Sequence, residues 1–230
     1  MPAFRIGFLA FPAMTQLDLT GPLQVFANLP GAETRVIWKT LEPIGTHGGV
    51  RLVPDTVLAE CPPLDVICVP GGPGVLALMD DAEVLDFLRR QAAQARYVGS
   101  ICTGALVLGA AGLLRGRKAT THWAWTDLLV PLGAIPTPGR VVRDGNIFSG
   151  GGVTAGIDFA LVMVAELAGR EAAENIQLGI EYAPAPPFNA GNPETARPEL
   201  VATARARMTD VRVQREAKVA AVAGRLNALQ

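Results

Sequence analysis

The run Tyr97–Leu114, YVGSICTGALVLGAAGLL, sets the tightest limit on how this chain can fold. It carries no charge and is long enough to span a bilayer. Yet Gly99, Gly104, Gly109 and Gly112 interrupt it, Ser100 and Thr103 sit inside it, and Arg115-Gly116-Arg117-Lys118 follows at once. A buried strand, a tight turn and a helix in a packed α/β core account for all of these features. Cys102 falls at the turn, with Ser100 two residues before it and Gly104 two residues after. That is the layout of a nucleophile elbow, in which small neighbours let the chain bend sharply and present one side chain at the carboxyl end of a sheet. A cysteine at a helix start also lies near unpaired N–H groups, which are expected to favour the thiolate. Most free cysteines are simply packed as small hydrophobes. The strand-to-helix switch and the small flanking residues favour a nucleophile here.

The rest of the sequence agrees with one soluble α/β domain. Half of the 230 residues are hydrophobic and 18% are charged, so a substantial core is available. A net charge of −1 gives no global pull towards nucleic acid or anionic lipid. Three cysteines and two histidines, without metal-ligand spacing, give no basis for a metal site. Cys68 lies in the apolar run DVICVP and reads as core; Cys61, before Pro62-Pro63, reads as structural. The opening MPAFRIGFLAFPAM is a poor signal peptide, so the protein is read as cytoplasmic.

Apolar runs alternate with helical patterns. Strands are expected over Phe4–Phe11, Arg35–Lys39, Asp65–Pro70, Tyr97–Cys102 and Lys118–Thr121, and helices over Leu19–Leu29 (Thr20 as N-cap), Ala82–Ala95, Gly104–Leu113, Trp123–Leu129 and Thr154–Ala168. Asp144-Gly145 marks a hairpin. The expected fold is a single domain with a mostly parallel sheet sandwiched by helices, covering residues 1–182. Residues 183–230 form a Pro-rich strap and a C-terminal helix, Leu200–Leu229, packed on the domain or on a partner copy. The arginine-rich face of that helix is read as a solvated surface rather than a nucleic-acid site.

Ligands of parallel α/β sheets bind outside the carboxyl ends of the strands. Four loops of unusual chemistry fall there: Thr15–Pro22, Gly71–Gly74, Cys102-Thr103-Gly104 and Gly150–Thr154. Asp18, in the first, either moves a proton beside the cysteine or caps the following helix. Gly71-Gly72 either points N–H groups at developing negative charge or makes a simple turn. Neither a P-loop lysine nor a dinucleotide fingerprint is present.

Taken together, LDLTGP, DVICVPGG, SICTGALVLGAAGLL, ATTHWAW and GGGVTAGIDFAL resemble the DJ-1/PfpI superfamily, which has a flavodoxin-like fold. Asp18, Thr103 directly after the cysteine, and EYAPAPPFNAG at Glu181–Gly191 bring the chain nearest to the isocyanide hydratases of that group. Peptidase-like relatives carry histidine where this chain has Thr103. The resemblance implies cofactor-independent hydration of an isocyanide to an N-formamide through a thioimidate, without a metal. Cys102 is the implied nucleophile, Asp18 the proton carrier, and Thr103 a hydrogen-bonding partner of the sulfur or the aspartate. Backbone groups at Gly72 and Val153 complete the polar wall, and Trp123 and Tyr182 are candidates for an apolar pocket. His122 reads as a packed residue or a catalytic one. A homodimer is implied, with no nucleic-acid or membrane partner. The alternatives are a glyoxalase- or deglycase-like enzyme of the same superfamily and a cysteine-based redox sensor or chaperone. A transcription regulator is disfavoured, because the tail after Pro198 is too short for a helix-turn-helix module.

Overall fold

The computed structural model describes residues 4–228. Seven strands form the main sheet: β1 (Phe4–Leu9), β2 (Ala32–Trp38), β3 (Thr56–Val57), β4 (Val66–Val69), β5 (Tyr97–Ile101), β6 (Val141–Asp144) and β7 (Ile147–Gly150). Their order across the sheet is β6-β7-β5-β4-β1-β2-β3. Every neighbouring pair is parallel except β6 and β7, which form the hairpin anticipated at Asp144-Gly145. All four residues of β4 and of β7 are buried, as expected for short strands covered on both faces.

The described residues contain eight α-helices: α1 (Gln16–Phe26), α2 (Val75–Leu78), α3 (Ala82–Ala92), α4 (Gly104–Ala110), α5 (Ala155–Ala168), α6 (Arg170–Gly179), α7 (Pro198–Arg207) and α8 (Thr209–Ala228). Helix α1 packs on α5, and α5 on α6; α2, α3 and α8 pack around α4. The run that resembled a membrane span is thus divided between β5 and α4. No helix among the described residues is long and apolar enough to cross a membrane. Trp123–Leu129 forms a 3₁₀ segment, and Lys118–Ala119 pairs with Ile135–Pro136 in a small separate sheet.

Two helix expectations need correction. Helix α1 starts at Gln16 with Thr15 in the N-cap position, so Asp18 lies in its first turn and Pro22 inside it. Thr20 is no cap: its hydroxyl donates to Gln16 Oε1 across one turn at 2.7 Å. The C-terminal helix is two helices, broken at Met208. No residue of α7 is buried, whereas α8 buries Arg215, Val219 and Val222 against the same chain. Asp80 holds α8 through ion pairs to Lys218 and, at 2.5 Å, to Arg225, and Asp127 pairs with Arg212. Between α6 and α7 the Pro-rich strap lies on the surface, with Phe188 79% exposed.

From β1 the chain runs outward through β2 and β3, then crosses back to place β4 on the other side of β1. This reversal opens a crevice at the carboxyl ends of the strands. It sets the first turn of α1, the loop after β4 and the turn after β5 beside one another.

Candidate active site

Cys102 occupies the turn between β5 and α4 with φ +54°, a left-handed conformation uncommon for a residue with a side chain. Its N–H donates to the carbonyls of Gly151 at 2.9 Å and Gly150 at 3.1 Å, and its own carbonyl accepts from the Thr121 hydroxyl at 2.7 Å. These bonds offset the strain of the turn and fix the direction of the side chain. Gly104 is required by the same bend. A Cβ there would overlap the Val69 carbonyl and lie 2.8 Å from that of Pro70. The elbow anticipated from the spacing is therefore built.

Asp18 is completely buried. Its Oδ2 accepts from Gly71 N–H at 2.9 Å, which ties α1 to the loop after β4 and rules out the capping role. Its Oδ1 is buried without a conventional hydrogen bond. The Cys102 thiol is close enough to act on this carboxyl as a hydrogen-bonding neighbour. Burial raises Asp18 from 3.8 to about 7, against the opposing pull of Gly71 N–H and the thiol. Gly71 must be glycine, because a Cβ would sit 2.5 Å from Thr103 N and 2.9 Å from Asp18 Oδ2.

The sequence led us to expect a helix start that favours the thiolate, and the balance of forces is different. Burial and the negative charge of Asp18 push the Cys102 thiol well up; the Thr103 backbone and hydroxyl and the charge of Arg215 pull it down by less. Cys102 and Asp18 are thus a buried acid–acid pair in which ionising one disfavours ionising the other. Cys68 is fully buried and also pushed well up by burial, and half-buried Cys61 is raised to about 11 by burial. All three cysteines are free thiols.

The Thr103 hydroxyl accepts from Gly72 N–H at 2.9 Å. That bond anchors the turn after β4 on the turn after β5, and it occupies the N–H that was expected to face the substrate. Gly72 itself has φ +129°, and a Cβ there would overlap Thr15 N and lie 2.7 Å from Met14 Cα. Val153 lies two residues beyond Gly151, the acceptor of the Cys102 N–H, and is half-buried. His122 turns its Nδ1 to Ala124 N–H at 3.3 Å and stacks obliquely on Trp123. Burial and the nearby Arg215 charge hold its proton affinity below the usual range, so it stays neutral at pH 7. The Tyr182 hydroxyl donates to Asp158 Oδ2 at 2.9 Å, on the carboxylate that also binds Arg140. Trp123 lines a cleft of about 550 Å³ with Trp125, Arg205 and Met208. Among the described residues, no cluster of His, Cys, Asp and Glu could hold a metal ion.

Arg215 is the residue that sequence reasoning missed. It reaches the site from α8, 113 positions after Cys102, and is 5% exposed. Its guanidinium lies over the Trp125 ring at 4.1 Å, and Nη2 approaches the Gly72 carbonyl at 3.5 Å. A signal was present: Arg215 shares one helix face with Val219 and Val222, at spacings of four and seven. An arginine on the apolar stripe of a helix is a buried charge.

Comparison with known proteins places this geometry. The DJ-1/PfpI family pattern matches residues 4–166, and the chain belongs to that family. It is 60% identical over 205 residues to the isonitrile hydratase of Pseudomonas putida, covering 89% of this chain and 90% of that protein. The crystal structure of a ThiJ/PfpI family protein from Pseudomonas syringae superposes with a TM-score of 0.89 at 46% identity, covering 97% of this chain and 92% of that one. Drosophila melanogaster DJ-1beta superposes with a TM-score of 0.73 at 26% identity, over 79% of this chain and all of that one.

Proposed function

We propose that this protein is an isocyanide hydratase that converts R–N≡C and water to R–NH–CHO through a thioimidate on Cys102. The 60% identity to an isonitrile hydratase, isonitrile being another word for isocyanide, supports the substrate class. The observation that carries the mechanism is the unbonded, buried Oδ1 of Asp18 beside the Cys102 thiol.

The thiol passes its proton to Asp18 as sulfur bonds to the terminal isocyanide carbon. That carbon carries the developing lone pair and takes the proton back from Asp18, giving R–N=CH–S–Cys102. Water then adds to the same carbon while Asp18 takes a proton from it and delivers that proton to the nitrogen, onto which the C=N electrons move. Collapse of the tetrahedral R–NH–CH(OH)–S–Cys102 breaks the C–S bond, the hydroxyl proton passes through Asp18 to the departing sulfur, and the formamide is released with the thiol and the carboxylate restored. A carboxyl titrating near 7 suits both directions of transfer at neutral pH. Covalent attachment divides one hard addition into two easier ones. Thr103 supports the sulfur, and with the Gly72 N–H engaged by Thr103, the Val153 backbone is left to complete the polar wall.

A homodimer belongs to this reading. The exposure of Leu178 (80%) and Phe188 (79%) favours a second copy as cover. A cytoplasmic setting suits the free thiols. The test is turnover of cyclohexyl isocyanide and an aromatic isocyanide beside methylglyoxal. Formamide production with little methylglyoxal loss is expected; the reverse would favour a glyoxalase. Sedimentation should give twice the chain mass, and a clean monomer would remove the dimer.

A further inference from the structure

We propose that Arg215 is a positioning residue for Cys102: its guanidinium, brought in by α8, is the standing counter-charge that lets the buried sulfur become an anion. This rests on the reading of Cys102 as the nucleophile.

The argument starts from the cost of the arginine. A guanidinium is always charged at neutral pH, and a buried charge without a partner is strongly destabilising. Among the described residues Arg215 makes no ion pair with a carboxylate, although its helix neighbours Arg212, Lys218 and Arg225 all do. Its Nε is buried without a hydrogen bond among the described residues, and Nη2 makes one long bond, to the Gly72 carbonyl. The face of Trp125 offers partial compensation through the ring's negative π surface. What remains is a cation held ready for an anion that forms only during reaction. Cys102 is the group whose charge, once the sulfur is ionised, would favour the guanidinium. The other titratable groups facing this space are Asp18 from α1 and His122 from the 3₁₀ segment, and His122 is held neutral. With Asp18 protonated, one negative charge on sulfur then faces one positive charge on Arg215. The Gly72 carbonyl links the guanidinium to the loop whose N–H is bound by Thr103, so the cation is placed by the same contacts that place the nucleophile.

The test measures the pH dependence of Cys102 alkylation by iodoacetamide in the wild-type chain, Arg215→Met and Arg215→Lys, with Cys61→Ser and Cys68→Ala in the background. An opposite charge within several ångströms moves such a group by about one to three pH units. Arg215→Met should raise the alkylation midpoint by about one unit or more and slow alkylation at pH 7.5 roughly tenfold or more. Arg215→Lys should recover most of that shift. Isocyanide kcat should fall in Arg215→Met with KM little changed. An unmoved midpoint in Arg215→Met, or a Lys variant as displaced as the Met variant, overturns the proposal and leaves Arg215 a packing residue. If Arg215→Met is insoluble, Arg215→Gln against Arg215→Lys reads the same midpoint. The alkylation profile needs no isocyanide, so a wild-type chain that turns over none would fail the functional reading while still deciding this one.

Discussion

Replacing Asp18 by asparagine should make the protein more stable at alkaline pH while removing its activity. The folded chain holds this carboxyl at about 7 against 3.8 for the free group, chiefly through burial. The folded state therefore binds more protons than the unfolded state between about pH 4 and 7, and the contribution of Asp18 to stability falls as pH rises through that window. About three units correspond to roughly 4 kcal/mol at most, fully lost above pH 8. For a chain of this size that is on the order of 10 °C in Tm. Asparagine keeps an oxygen for Gly71 N–H and never ionises, so it escapes this loss. Urea unfolding of both proteins at pH 5, 6.5 and 8.5 should show the variant gaining on the wild type by up to about 3 kcal/mol across the series, the remainder having been lost below pH 5. Turnover should drop about a hundredfold to ten-thousandfold for want of the proton carrier. A stability difference that stays constant from pH 5 to 8.5 would refute the reasoning, because it would mean that Asp18 titrates like an ordinary surface carboxylate.

Three further outcomes follow from the geometry. Cys102→Ala or Cys102→Ser should abolish isocyanide turnover with the fold retained by circular dichroism, while Cys61→Ser and Cys68→Ala keep most of it, the latter losing about 1–2 kcal/mol of core packing. Thr103→Val should leave the Gly72 N–H buried and unpaired, costing about 1–3 kcal/mol in chemical denaturation, and Thr103→Ser should restore most of it. Gly104→Ala should cost more than about 3 kcal/mol or prevent folding, because its Cβ would meet two carbonyls, whereas Gly224→Ala, with open space around it near the C-terminal end of α8, should raise stability by up to about 1 kcal/mol on the same scale.

The elbow was legible because three constraints coincide in a few residues: an apolar strand, a cysteine and a glycine two positions on. Local sequence carries such features well. The start of α1 was misplaced because Pro22 reads as a first-turn residue, and only the packing of α1 on α5, with Pro22 against Gly156, shows that it lies inside the helix. The break at Met208 was missed because no glycine or proline marks it. The bond that occupies Gly72 N–H joins residues 31 positions apart, and local pattern is blind to it. The direction of the Cys102 shift was misjudged for a related reason. The dipole argument is local, while the burial and the Asp18 charge that outweigh it arise from tertiary structure.

Helix α8 lies wholly outside the stretch that matches the family pattern, residues 4–166, yet it reaches the neighbourhood of the nucleophile. In evolutionary terms the shared core and its appendix can vary separately. The elbow and Asp18 are hemmed in by glycines that tolerate no Cβ, so drift there is penalised at once. Helix α8, held by Asp80, Asp127, Val219 and Val222, reaches the nucleophile from outside that core. If Arg215 tunes the thiol, the tuning group of this chain lies outside the stretch by which its family is recognised.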